Sequence, residues 1–303
     1  MYAECTLKFL TVLSAMFFLS TSPMLLANTS QKIYLSTKGW SPLIQEYFNL
    51  ITEKSLEHSQ ATHGNYEYKH LSERISYPRA VRNSRQDSAL LITFASGPIP
   101  EIQQYKIPIL NGFLGLRELI INQSDLSKFI GLFSKEDFTS LSVGQVSAWH
   151  DAENYRNANI RVHAGPNFES LFPMLAAGRF DYLPLSLLEA DNTLGSRTEL
   201  SGKLTILKDM YVYYPAPMYL NIQEGQEELG KRVFYGLRKM ADSGELSTLF
   251  RSYFSKYIEK ISPDQAQVMV LLNPTLTPEE NSHYISQTIG EFFSQKTSIQ
   301  YLQ

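Results

Sequence analysis

The chain has 303 residues, 43% of them hydrophobic and 19% charged, with a formal net charge of −3. That composition belongs to a protein with a sizeable buried core, in one large domain or two small ones. No run of Lys or Arg forms a basic stripe, which excludes nucleic acid and an anionic membrane surface as electrostatic partners.

At the N-terminus Lys8 precedes "FLTVLSAMFFL", an apolar run of secretory length, and then "STSPMLLANTS", with Ala27 as the last residue before cleavage. This pattern predicts a signal peptide over residues 1–27, a mature chain starting near Asn28, and export to the periplasm of a Gram-negative bacterium. Glu4, and the absence of charge from Phe9 to Gln31, leave an uncleaved anchor as the alternative. The only cysteine, Cys5, lies ahead of the apolar run, so the mature chain has no disulfide and no cysteine metal ligand.

After the signal, "QKIYLST" reads as a strand and "GWSPLIQEYFNLITEK" as a helix, with Ser41 as N-cap and Pro42 in the first turn. "NYEYKHL" alternates like a strand, "YPRAVRNSRQ" opens like a helix, and the unbroken apolar run "SALLITFA" predicts a strand buried on both faces. Strand-like segments follow at "YKIPIL" and "LRELIIN", then a short helix at "SKEDFTSL", a strand at "SVGQVS", a helix start at "DAENYRN" and a strand at "NIRVHAG". In "PNFESLFPMLAAGRFDYLPLS", Asn167 caps a helix, Phe168, Leu171, Phe172, Leu175 and Ala176 form its apolar face, and Gly178 ends it before another strand. "KLTILKD" and "YVYYPAPMYLNI" are strand-like. Two amphipathic helices come next, one lined by Leu229, Val233, Leu237 and Met240, the other by Leu246, Leu249, Phe250, Tyr253, Phe254, Tyr257 and Ile258. "VMVLLNPTLTP" is apolar and ends in turn residues, and a polar, helix-compatible tail closes the chain. Alternating strands and helices predict parallel sheets, and no internal sequence repeat is visible.

The common enzyme signatures are absent: no G-x-S-x-G, no H-E-x-x-H, no P-loop and no G-x-G-x-x-G. Six histidines are scattered without metal-ligand spacing, and Glu279 and Glu280 read as solvated surface. No catalytic residue, metal or cofactor is therefore expected. The aromatic residues are more informative. Trp40 follows the first strand, Trp149 follows "SVGQVS", Tyr182 lies in "RFDYLPL", and Tyr213 and Tyr214 precede Pro215. Ligands of parallel α/β sheets bind beyond the carboxyl ends of the strands, where such side chains would stand.

"YPRAVRNSRQDSALLITFASGPIPEIQQYKIPIL", "SVGQVSAWHD", the G-R-x-D turn at Gly178 to Asp181 and the "GL…M…SGEL…LF…YF" helix pair together resemble the bacterial type 2 periplasmic solute-binding proteins, in particular family 3, which includes amino-acid binding components of ABC importers. The resemblance runs from about Lys32 to about Tyr257, and "VLLNPTLTP" is similar to the C-terminal segment of a poorly characterised branch. It implies an α/β fold of two lobes with a discontinuous first lobe and a ligand cleft between them: residues 28–115 plus 216–303 in lobe one, and 116–215 in lobe two. The crossing segments would lie near Asn111 to Asn122 and Tyr211 to Asn221. It also implies a cleft lined by Trp40, Ser96, Gly97, Trp149, Tyr182, Ser186 and Tyr214, with Arg79 either a charged contact or turned to solvent. The family's usual charge partners for a free amino acid are absent: "FASGPIPEIQQY" has no arginine, and Ser186 stands where a second aspartate is usual. The expected role is a monomeric, non-enzymatic protein that captures a small polar or aromatic solute for an ABC transporter permease or a membrane sensor. A degenerate fold acting as an interaction or regulatory module is the second reading, and an enzyme on this scaffold the third.

Overall fold

The computed structural model describes residues 30–37, 40–71, 77–96, 102–130, 134–147, 149–223 and 225–302. The signal-peptide reading of residues 1–27 and the site assignment of Gly97 lie outside them. No described helix is long and apolar enough to cross a membrane.

The first sheet starts with β1 (Gln31–Ser36), which leads into α1 (Pro42–His63). Ser41 is extended and Pro42 occupies the first turn, where a missing N–H is harmless. The sequence stretch read as this helix ended at Lys54, but α1 runs on to His63. Ser55, Leu56 and Ser59 are buried there, and the two serine hydroxyls are bonded, Ser55 Oγ donating to the Val233 carbonyl of a later helix and Ser59 Oγ to the Leu56 carbonyl, each at 2.7 Å. Burial of polar residues is invisible to a pattern of apolar spacing. β2 (Tyr66–Leu71), α2 (Tyr77–Gln86), β3 (Leu90–Ser96) and β4 (Ile102–Tyr105) follow.

The chain then leaves this sheet. β5 (Leu116–Asn122) opens the second, followed by α3 (Leu126–Phe129), α4 (Lys135–Ser140), β6 (Ser142–Val146), α5 (Asp151–Asn157), β7 (Arg161–Gly165), α6 (Phe168–Ala176), β8 (Tyr182–Ser186), α7 (Ala190–Gly195) and β9 (Leu204–Tyr213). α6 begins with the expected Asn167 cap, here a full capping box with Ser170, and Gly178 takes φ +69° beyond its end. β10 (Met218–Gln223) returns to the first sheet, and α8 (Glu227–Asp242), α9 (Glu245–Tyr253) and α10 (Ser255–Ile258) come after it. The second amphipathic stretch thus breaks at Phe254. The chain ends in β11 (Gln267–Val270), α11 (Pro278–Phe292) and β12 (Ser298–Tyr301).

The strand orders are β2-β1-β3-β10-β4 and β12-β11-β9-β5-β8-β6-β7. Read from its β7 edge, the second sheet begins β7-β6-β8-β5-β9, the same order as the first, with one visiting antiparallel strand in each: β10 between β3 and β4, β5 between β8 and β9. The chain therefore folds into two α/β lobes of like topology, although the sequence carries no repeat. The first lobe is discontinuous, because β10 re-enters it after the whole of β5 to β9.

Two expectations change. "YKIPIL" is not a strand of either sheet: β4 stops at Tyr105, and residues 106–115 are the outward crossing, with Ile107, Ile109 and Leu110 packed into the core. Residues 216–303 do not all belong with the first lobe, because β11 pairs in parallel with β9, and β12 with β11, extending the second sheet. The free edge of β9 is the reason: its exposed ladder of N–H and C=O groups accepts another strand.

The crossings run side by side. Ile109 N donates to the Met218 carbonyl at 3.0 Å and Tyr214 N to the Gly115 carbonyl at 3.3 Å. A Cβ at Gly115 would lie 1.8 Å from the Tyr214 carbonyl oxygen, so only glycine allows this approach. α11 braces both crossings. Tyr213 Oη donates to the Tyr284 carbonyl at 3.1 Å, Thr288 Oγ1 donates to the Asn111 carbonyl at 3.3 Å, and the Tyr219 and Tyr284 hydroxyls meet at 2.5 Å. Asn273 Nδ2 donates to the Pro215 carbonyl at 2.9 Å and Lys106 reaches Glu280 at 2.8 Å. Phe113, Phe250 and Phe292 close the space beneath, and a fully buried ring of this kind contributes roughly 1.5–3 kcal/mol.

Candidate functional site

A cavity of about 650 Å³ lies between the lobes. From the first lobe come Trp40 and Ser41, at the carboxyl end of β1, and from the outward crossing comes Leu114. The second lobe supplies Arg117 on β5, Trp149, His150 and Asp151 beyond β6, Phe168 at the head of α6, and Leu185, Glu189 and Thr193 at the end of β8 and in α7. β6, β7 and β8 are parallel, so three successive strand ends deliver their following turns to one wall.

The floor is a charged pair. Arg117 Nη2 donates to Asp151 Oδ2 at 3.0 Å, and the Tyr214 hydroxyl donates to the same oxygen at 2.6 Å. The guanidinium carbon also lies 5.0 Å from the centre of the Tyr214 ring, a cation–π contact. The Arg117 side chain is only 12% exposed, and its Nε finds no partner among the described residues. Burial holds the Tyr214 phenol well above its ordinary range, so it stays a neutral donor to the carboxylate.

The walls are aromatic. Trp40 stands edge-on to Phe48 at 5.5 Å, and Gln45 Nε2 donates to its carbonyl at 2.7 Å. Trp149 packs on Phe168 at 5.8 Å, and Arg197 lies behind Phe168 and Phe172, 5.4 and 3.8 Å from their ring centres, itself held by Glu169 at 2.7 Å. Ser41 Oγ is buried at the head of α1, with no hydrogen-bond partner among the described residues. Glu189, at the head of α7, has no cation within 4 Å among the described residues.

Of the residues expected to line the cleft, Trp40 and Trp149 do so. Tyr182 sits instead in the core between Phe138 and Tyr155, fully buried, because β8 is covered on both faces. Ser186 is also fully buried, its Oγ accepting from Leu188 N at 3.3 Å, so it shapes the turn after β8 rather than the cavity surface. Tyr214 lies one layer below the cavity, under Arg117. Arg79 is exposed on α2 and is not among the residues around the cavity. Ser96 ends β3 opposite Met218, and only its backbone is described.

Arg117, Asp151, Phe168 and Thr193 were not anticipated. One signal was legible: Arg117 and Glu118 are charges at the opening of the otherwise apolar strand "LRELIIN". The G-R-x-D aspartate has a structural task. Asp181 accepts from Ser142 N at 2.7 Å and Ser142 Oγ at 2.6 Å, tying the turn after α6 to the start of β6.

No protein-family model and no curated protein matches the chain. Solved structures align over about three quarters of it. An ancestral arginine-binding protein bound to arginine shares 14% identity, with 74% of this chain and 98% of that one covered and a TM-score of 0.44. The L-cystine solute receptor of Neisseria gonorrhoeae, in its unliganded open conformation, shares 13%, covering 75% and 94%, at 0.45. The GluR0 ligand-binding core from Nostoc punctiforme, in complex with L-glutamate, shares 15%, covering 73% and 99%, at 0.42. Likeness at this level identifies no residue correspondence and no ligand.

Proposed function

We propose that the protein captures a small polar or aromatic solute between its lobes, without catalysing its conversion, and presents it to an importer or a sensor in the membrane. The observation that carries this reading is the cavity itself: a volume of about 650 Å³ reached by both lobes, with two tryptophans on its walls and an Arg117–Asp151 pair at its floor. A concave, mainly apolar site with a few convergent polar groups suits a small molecule. The two crossings beside the cavity supply the place where the lobes can rotate. Export through the N-terminal segment accords with this role, which calls for a monomer in the periplasm.

A thermal-shift screen of the purified mature chain against pools of small solutes tests the proposal. A ligand that binds only the native state raises the melting temperature, by an amount that grows with its concentration. A broad screen with no shift would sink the reading and favour a module that binds a protein partner. Mass spectrometry of a periplasmic extract should find a chain starting near Asn28. An intact Met1, or recovery only in the membrane pellet, would overturn the compartment.

A further inference from the structure

We infer that Thr37, Gln45 and His70 are positioning residues of the cleft: they form a one-way hydrogen-bond relay from β2 that holds Trp40, one of the two tryptophans on the cavity wall. None of the three is among the residues around the cavity. That Trp40 meets a solute there rests on the solute-binding reading, whereas the relay stands on its own contacts. His70 Nε2 lies 2.9 Å from Thr37 Oγ1, Thr37 Oγ1 lies 3.1 Å from Gln45 Oε1, and Gln45 Nε2 lies 2.7 Å from the Trp40 carbonyl oxygen. The parallel pairing of Leu35 with His70 brings the imidazole to the carboxyl end of β1, where Thr37 follows.

The direction of the relay is fixed from its far end. A carbonyl only accepts, so the Gln45 amide turns its NH2 toward Trp40 and its oxygen toward Thr37. The single proton of the Thr37 hydroxyl goes to that oxygen. The Thr37 oxygen is then left as an acceptor, so His70 donates through Nε2–H. Burial pulls the His70 imidazole below its ordinary range, against the charge of Glu53, so at neutral pH it donates as a neutral ring in that one tautomer. Thr37 is only 1% exposed, and water is therefore a poor substitute for a lost partner. Its backbone serves the same turn, the Thr37 carbonyl accepting from Trp40 N at 3.4 Å. Trp40 is thus held at its N–H and at its C=O, while its ring stands edge-on to Phe48, itself stacked on Phe94 at 4.1 Å.

The chain has two tryptophans, so in a Trp149→Phe background fluorescence reports Trp40 alone. Acrylamide quenching at pH 8, where His70 is neutral, measures how firmly the indole is held. Thr37→Val removes the hydroxyl at nearly constant shape and should roughly double the quenching constant, whereas Thr37→Ser, which keeps the hydroxyl, should match the parent. Two His70 variants of equal size isolate the direction of the relay. His70→Gln keeps an N–H donor, while the carboxylate of His70→Glu can only accept and draws the Thr37 proton away from Gln45. His70→Glu should therefore raise the quenching roughly as much as Thr37→Val, and His70→Gln should leave it at the parent value. Ser55→Ala, which removes a buried α1 hydroxyl bonded elsewhere, controls for general loosening and should also leave it unchanged. Parent-like quenching in Thr37→Val, equal quenching in the two His70 variants, or an equal rise in Ser55→Ala would overturn the relay. The solute screen fails or succeeds separately: no shift from any pool would remove solute capture, and the quenching series would still decide the relay.

Discussion

Trp149 and Tyr214 stand at similar points in the sequence pattern, each just past a strand, yet they do different work. Trp149 is partly exposed on the cavity wall, whereas Tyr214 is buried one layer down, with its hydroxyl spent on Asp151. Replacing Trp149 by Ala should therefore cost about 1 to 3 kcal/mol of ligand binding, as for buried aromatic contacts at binding hot spots. Calorimetry with the first ligand found in the screen measures this, and unchanged affinity with an unchanged melting curve would place the residue outside the site. Tyr214→Phe keeps the ring beneath Arg117 and removes one hydrogen bond to a charged acceptor. A loss of about 1.5 to 3 kcal/mol in urea unfolding is expected, with the ring contact preserved. A variant as stable as the parent would show that Arg117 alone suffices to hold Asp151. Neither role was legible from spacing, since period-two alternation places a residue on a face but does not say how deep that face lies.

At the scale of elements, the decisive feature is the pair of crossings and the helix that braces them. β5 and α6 follow from local pattern, β5 from its apolar run and α6 from its apolar spacing and Asn167 cap. The run "YKIPIL" looked like a strand for the same reason: β-branched residues alternate there. Ile107 N turns back to the Tyr105 carbonyl, and Ile109 N donates to the Met218 carbonyl on the returning crossing, more than a hundred residues away. Gly115 is the tightest point, where any side chain meets the Tyr214 carbonyl. Gly115→Ala should destabilise the fold by about 1–3 kcal/mol, by forcing the crossings apart. It should also weaken ligand binding, because Arg117 is two residues away. Denaturant unfolding and calorimetry together check this, and a variant with wild-type stability would show that the crossings can separate freely.

For the whole molecule, acid sensitivity follows from how the second lobe is tied. Burial alone would push the Asp181 carboxyl upward. The hydrogen bonds from Ser142 and the charge of Lys128, 3.5 Å away, outweigh that and hold it below the usual carboxylate range. A depressed folded value means the stabilisation is fully present above the unfolded carboxylate range, near pH 4, and is lost as pH falls through the lower folded value. Asp181→Asn should accordingly lower stability at pH 7 by about 1–2 kcal/mol, with the gap to the parent closing toward pH 2. Melting curves across that interval test the sign. A gap that persists unchanged in acid would assign the loss to packing rather than to charge.

The sequence by itself determined the local units: the strand and helix alternation, the Asn167 cap and the proline in the first turn of α1; the two-lobed α/β organisation and a cleft flanked by the two tryptophans came with the resemblance those units carry. The local units are properties of short windows, in which apolar period and turn chemistry act between neighbours. Only the tertiary structure decided that β11 and β12 extend the second sheet, that α11 braces the crossings, that Tyr182 and Ser186 belong to the core, and that Arg117, Asp151 and Glu189 meet in one cavity. Each of those depends on groups brought together from distant parts of the chain, where burial and strand-edge pairing, rather than local spacing, set the outcome.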